Sequence, residues 1–322
     1  MKRLVGLAFS FVLALITHSA SAELAKISIA TGVDPSFSAY YVAKSAGIFE
    51  KNGLDVQLNT GPSGSAMVAY VIQNQVQSAF GAEAAGIQDH NLDPNVVVAA
   101  EGALMLQWYG IVARDVQNMD ELKGKKIGVA RGSGSEVFWL AMVDKLKLNP
   151  AEYKIVQVEA PEMVAALERR DIDAFVCWEP WLTRAVSSIQ NVKLLLDNRG
   201  IMSPRVYIYV NRGWAEKNAA AAQAFMRSMV EATDLINKDP AKAAALVANF
   251  LKLDQTLTVT LMGKLRFDVR LDQGSLDNFV TIERQLKGLG KLAKPIDYKL
   301  FIEPTLLRQV KPDAVNLPAA KN

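Results

Sequence analysis

EMVAALERRDIDAFVCWEPW, residues 162–181, changes character part-way along. Its first half reads as an amphipathic helix, and IDAFVCWE (172–179) reads as a strand that stays apolar as far as Trp178. Glu179 then sits between an indole and a proline, with Trp181 close behind. A carboxylate at such a strand end either escapes from the edge of the core to solvent or forms part of the wall of a ligand cleft.

Helix followed by apolar strand recurs along the chain, the grammar of an α/β protein with mostly parallel strands. KISIATG (26–32), LDVQLNTG (54–61), QSAFGAE (77–83) and NVVVAAEG (95–102) are strands, with helices over 36–53 and 64–75 between the first three. A second series runs through KKIGVARG (125–132), YKIVQVEA (153–160) and the opening strand, with helices over 135–148 and 161–171. The two series share details. GPSGS (61–65) and RGSGS (131–135) each follow a strand and open a helix. Met67-Val68-Ala69 precedes Glu83 by the same 16 residues by which Met163-Val164-Ala165 precedes Glu179. Two similar lobes follow, with Glu83 and Glu179 at equivalent strand ends.

YGIVAR (109–114) and RVYIYV (205–210) bracket the second series and are expected to mark two crossovers between lobes, and hence a hinged cleft. The lobes are expected over 23–112 and 113–204, with 205–322 returning mainly to the first. Beyond Ala215 the chain turns helical. Ala222, Phe225, Met226, Met229, Thr233 and Ile236 form a buried stripe. Asp239-Pro240 caps a further helix, and another is expected from Ser275.

Residues 1–22 read as a cleaved leader: Lys2 and Arg3, an apolar run too short to span a bilayer, then Ala20-Ser21-Ala22. The net charge of +3 falls to +1 without Lys2 and Arg3, which argues for neither nucleic acid nor anionic membrane as a partner. Cys177 is the only cysteine, so no internal disulfide forms, and its apolar strand makes it a core thiol. Once His18 leaves with the leader, His90 is the only histidine; it is expected at the surface, without partners for a metal or a hydrolase triad. No cofactor is called for: GSGSEV lacks the third glycine of a dinucleotide fingerprint, and no Walker motif occurs.

Parallel sheets bind ligands beyond the carboxyl ends of their strands, where helix N-termini offer unpaired N–H groups. Ser63, Gly64 and Ser65, with Ser133, Gly134 and Ser135, suit an anion there, although each serine equally reads as a helix cap. Glu83 and Glu179 read as solvated strand ends, as ligand-facing groups or as a carboxylate pair for catalysis. A ligand-facing Glu asks for a cationic or N–H-bearing ligand group, or for an arginine such as Arg205. Trp108, Trp178 and Trp181, at a crossover or strand end, are candidate aromatic walls, although each alone equally reads as core.

FSAYYVAKSAGIFEKNGLDVQL (37–58), ELKGKKIGVARGSGSEVF (121–138) and residues 162–181 together resemble the periplasmic substrate-binding proteins of ABC transporters in the aliphatic sulfonate, taurine and nitrate group. Binding proteins for pyrimidine precursors of thiamine are similar too. The resemblance implies a type II two-lobed periplasmic binding fold with two crossover strands and C-terminal helices packed on the lobes. It also implies a non-enzymatic, monomeric solute receptor that serves a permease and its ATPase. In such proteins the first-strand loop lines the site, which adds Ser36, Phe37 and Ser38. The cargo implied is a small sulfonate or a zwitterion such as taurine, with an aminopyrimidine as the alternative and an enzyme in the same cleft as the competing class.

Overall fold

A computed structural model describes residues 23–61 and 64–317. The leader expected over 1–22, Ser63 and the side chain of Ser65 lie outside the described residues.

Strands β1 (Ala25–Thr31), β2 (Leu54–Thr60), β3 (Ser78–Ala82) and β4 (Val96–Met105) form the first series. The second comprises β5 (Tyr109–Arg114), β6 (Lys126–Val129), β7 (Lys154–Gln157), β8 (Ala174–Trp178) and β9 (Val192–Asp197). They are followed by β10 (Arg205–Asn211), β11 (Leu265–Asp272) and β12 (Val315–Asn316). Two sheets result, a seven-stranded one ordered β12-β11-β4-β10-β3-β1-β2 and a five-stranded one ordered β7-β6-β8-β5-β9.

The β2-β1-β3-β10-β4 part of the larger sheet matches the whole smaller sheet place for place. In both, the fourth place goes to a strand running antiparallel to its neighbours. β10 fills it in the larger sheet, arriving after the smaller one is complete, and β5 fills it in the smaller, arriving straight from β4. The chain therefore passes between sheets twice, at 106–108 and 198–204. The inner strands β3 and β8 are buried along almost their whole length, which explains their unbroken apolar runs.

The Ala219–Lys238 helix buries the stripe Ala222, Phe225, Met226, Met229, Thr233 and Ile236. Phe225 stacks on Tyr40 of the first helix at 6.2 Å, and Tyr41 stacks on Phe250 of the next helix at 4.6 Å, which binds these helices to the larger lobe. Asp239 caps that next helix by accepting the Lys242 N–H at 3.0 Å. The helix expected from Ser275 starts at Gln273, because Asp272 is its cap and accepts the Ser275 N–H at 2.9 Å.

His90 is not at the surface. The Glu83–Leu92 helix turns it inward, where Nδ1 lies 2.7 Å from the Val96 carbonyl and the ring packs on Phe301. A polar helix-to-loop sequence hid the fact that this helix is covered on both sides. Asp89 on the same helix is 8% exposed, and one of its carboxylate oxygens has no hydrogen-bond partner. Burial raises its pKa from 3.8 to about 7. The folded chain thus keeps a proton that the unfolded chain releases, so stability is lost progressively as pH rises from 3.8 to about 7. Asp89→Asn is expected to raise stability at pH 8 by about 1–3 kcal/mol and to flatten this fall, which denaturant melts across pH 4–8 would show.

Candidate functional site

A cavity of about 60 Å³ opens between the sheets, beyond the carboxyl ends of β1, β3 and β8. On a scale where roughly 10–15 Å³ of such space holds one water, it suits a solute of few atoms. Both lobes wall it. The larger contributes the turn after β1 and the start of the Gly64–Ile72 helix; the smaller contributes the start of the Gly134–Lys145 helix and the end of β8.

Of the residues singled out in the sequence, Ser36, Phe37, Gly64, Trp108, Ser133, Gly134, Trp178 and Trp181 line this cavity. The serine hydroxyls are already committed to the protein. Ser36 Oγ donates to Asp34 at 2.6 Å, and Ser38 Oγ, outside the wall, donates to the Pro35 carbonyl at 2.6 Å. Ser133 Oγ donates to the Ala130 carbonyl and caps its helix by accepting the Ser135 N–H at 3.2 Å. Ser135 Oγ donates to the Val176 carbonyl, tying the helix to β8. Among the described residues of the 36–38 and 133–135 turns, what remains to face a ligand is helix N-terminal backbone.

Glu83 and Glu179 end equivalent strands, but neither lines the cavity. Glu83, 2% exposed, accepts the backbone N–H of Arg205 at 2.7 Å and the side-chain amide of Asn278. Burial lifts its pKa to about 7 against those bonds. Glu179, 3% exposed, accepts both the N–H and the hydroxyl of Thr183 at 3.0 Å and is ion-paired with Lys264 of the larger lobe. A second pair spans the lobes where Lys291 meets Glu136. The Arg205 guanidinium turns into the larger lobe, its Nε 3.0 Å from the buried Glu101, which Arg270 and Ser275 also approach. The charges flagged in the sequence are therefore structural joints.

Asp34 and Tyr109 join the wall without having been singled out. Asp34 before Pro35 has the form of a helix cap, and it does accept the Ser36 N–H at 2.9 Å. That role masked a second one, since its carboxyl also faces the cavity. Burial raises its pKa to about 6, against the pull of Ser36 and of the Trp178 indole N–H across the cleft. Tyr109 opens β5 as one more apolar strand residue, and only its register opposite Trp178 reveals that it belongs to the site. Burial, with the charges of Glu83 and Asp34, pushes its phenol well above the usual range, so it is a neutral hydroxyl.

Asn198, 2% exposed, holds the two lobe crossings together. Its Oδ1 accepts the N–H groups of Trp108 at 2.7 Å and Tyr109 at 3.0 Å. Its Nδ2 donates to the carbonyls of Met105 at 3.1 Å and Leu106 at 3.3 Å, with Met202 at 3.4 Å.

With this geometry in hand, the chain can be set beside known proteins. The family model described as NMT1/THI5 like matches residues 34–243. The chain belongs to that family. Within reach of it lies the taurine-binding periplasmic protein of Escherichia coli K12, 26% identical over 227 residues, 68% of each chain. The alkanesulfonate-binding protein SsuA of Xanthomonas axonopodis, solved with MOPS bound, superposes with a TM-score of 0.75 at 16% identity, covering 92% of this chain and 100% of its own. A desulfurization enzyme, DSZB, superposes at 0.68 with 15% identity, covering 90% of this chain and 99% of its own. The family member described here thus has the periplasmic-binding-protein fold, a fold that also houses an enzyme.

Gly134 is a packing requirement of the site, because a Cβ there would fall 2.1 Å from the Tyr109 hydroxyl. Gly134→Ala must push the phenol aside, and it is expected to lower stability by about 1–3 kcal/mol, read as a lower urea midpoint at unchanged slope.

Proposed function

We propose that this chain is the solute-binding component of an ABC importer, working in the periplasm, and that it closes like a hinge over a small zwitterion of the taurine kind. The observation that carries the reading is the cavity between twin sheets, walled from both lobes at their strand carboxyl ends. Asp34 on one wall suits an amine, and the amide-rich helix starts at Gly64 and Gly134 suit an acidic end. The name of the taurine-binding relative points the same way. Among the described residues no helix is long and apolar enough to cross a membrane, which agrees with a receptor that hands its cargo to a separate permease and ATPase.

Closure follows from where the contacts lie. A solute touching both lobes makes its full set of bonds only when they meet, so binding shifts the population toward the closed form, and the permease reads that form. A thermal-shift screen of taurine, alkanesulfonates, carboxylates and aminopyrimidines tests the reading, together with X-ray scattering with and without each solute. A rise in melting temperature with a smaller radius of gyration is expected for at least one solute. An unchanged outline with every solute would sink it.

An aminopyrimidine is the second reading, favoured by the rings of Phe37, Tyr109 and Trp178 in the wall. An enzyme finds less support, since neither Cys177 nor His90 lines the cavity and both are buried in packing.

The ion pairs Lys264–Glu179 and Lys291–Glu136 exist only while the lobes touch. The double variant K264M/K291M is expected to enlarge the radius of gyration of the unliganded chain and to weaken solute binding by at least roughly 10-fold, because it leaves Glu179 buried without its cation.

A further inference from the structure

Among the described residues that wall the cavity there is one carboxylate, Asp34, and no lysine, arginine or histidine. Asp34 is 6% exposed, and one of its oxygens takes both Ser36 donors, the N–H at 2.9 Å and the hydroxyl at 2.6 Å. The Trp178 indole N–H bears on the same group from the opposite lobe. All of these are neutral donors. A carboxylate removed from water with only neutral donors around it retains a deficit that a cation would fill. Burial raises its pKa to about 6, in keeping with that deficit.

A second observation is independent of the acid. Phe37, Trp108, Tyr109, Trp178 and Trp181 supply ring surface to one small cavity. Ring faces attract cations, and most strongly where water is excluded. Trp181 already shows this, with the Arg184 guanidinium 4.9 Å from its ring centroid, although Arg184 is not itself a wall residue.

Resting on the reading of this cavity as the solute site, we infer that Asp34 decides specificity by requiring a nitrogen in the cargo that is cationic or becomes so by taking a proton. The nitrogen meets the Asp34 carboxylate, and the carbon body lies against the rings. An acid of the same shape without that nitrogen places nothing opposite Asp34 and leaves the buried charge unpaired. Within the sulfonates, aminoalkyl members are accepted and plain alkyl members refused.

Matched probes test the requirement by titration calorimetry at pH 7.5: taurine against 1-propanesulfonate, glycine betaine against 3,3-dimethylbutanoate, and 3-aminopropanoate against butanoate. In at least one pair the nitrogen-bearing member is expected to bind the native chain at least roughly 30-fold more tightly than its partner. In Asp34→Asn that preference collapses toward parity, with the unliganded melting curve checking that the variant folds. The native-chain comparison decides the requirement even if the variant does not fold. Equal binding within every pair, a preference unchanged in Asp34→Asn, or silence from all three nitrogen-bearing probes overturns the inference. Tight binding and closure with a nitrogen-free probe would overturn it while leaving the receptor reading standing. Failure of every probe to bind, in this panel and in the wider screen, would remove both.

Discussion

The two lobes keep a defined relation because one buried amide is shared between the segments that join them. Asn198 leaves β9 at the start of the second crossing and spends its oxygen on Trp108 and Tyr109, at the end of the first. Its nitrogen turns back to the carbonyls of Met105 and Leu106. Backbone between two sheets has no ladder to pair with, and unpaired buried N–H and C=O groups are costly. An asparagine carries one acceptor and one two-proton donor, so it satisfies both kinds at once. Aspartate would lose the donor, and leucine would orphan every partner. Trp108 and Tyr109 are also cavity walls, so the group that fixes the crossing also sets the position of the binding surface.

The same economy explains where charge sits around the cleft. A carboxylate inside a protein must be paired or neutralised. Glu101 is met by Arg205 and Arg270, Glu179 by Lys264, and Glu136 by Lys291. Glu83 has neutral donors from Arg205 and Asn278 and titrates high as a consequence. These joints surround the cavity without entering it. The walls are left to rings, methionines and glycines, with Asp34 the acid among them.

Much of this architecture is legible in residue order, because it rests on local rules. The twin helix–strand series, the stripe from Ala222 to Ile236 and the cap at Asp239 all follow from period and capping chemistry, and each has its counterpart in the structure. The candidate cavity was legible to the level of its turns: the loop at 36–37, the glycines at 64 and 134, and Trp108 and Trp178 all line it. What residue order does not carry is the direction in which a side chain leaves a strand end. Glu179 turns toward Lys264, 85 residues away in the chain, and Glu83 toward Asn278, 195 residues away. Asp34 satisfied a local rule so well as a cap that its second role was invisible, and Tyr109 depended on a cross-strand register.

A receptor of this design needs lobes that meet readily but are not locked. In the two lysine–glutamate pairs the lysine side chains are 24% and 29% accessible but Glu179 only 4%, so the net gain of each pair over its separated, hydrated ions is small, about 1 kcal/mol. Moving a two-state equilibrium from mostly open to mostly closed takes about 5.5 kcal/mol. The pairs therefore cover only a part of that interval, and under the proposed closure the remainder would come from contacts that a solute makes to both walls. If the lobes close as proposed, a buried Asp34 without a cationic partner works against that closure, because closing removes more water from it. A solute that supplies the missing positive charge reverses the sign of that term. On the proposed reading, the same carboxylate opposes closure on a solute that brings no cation and favours it on one that does, which would couple selectivity to the motion itself.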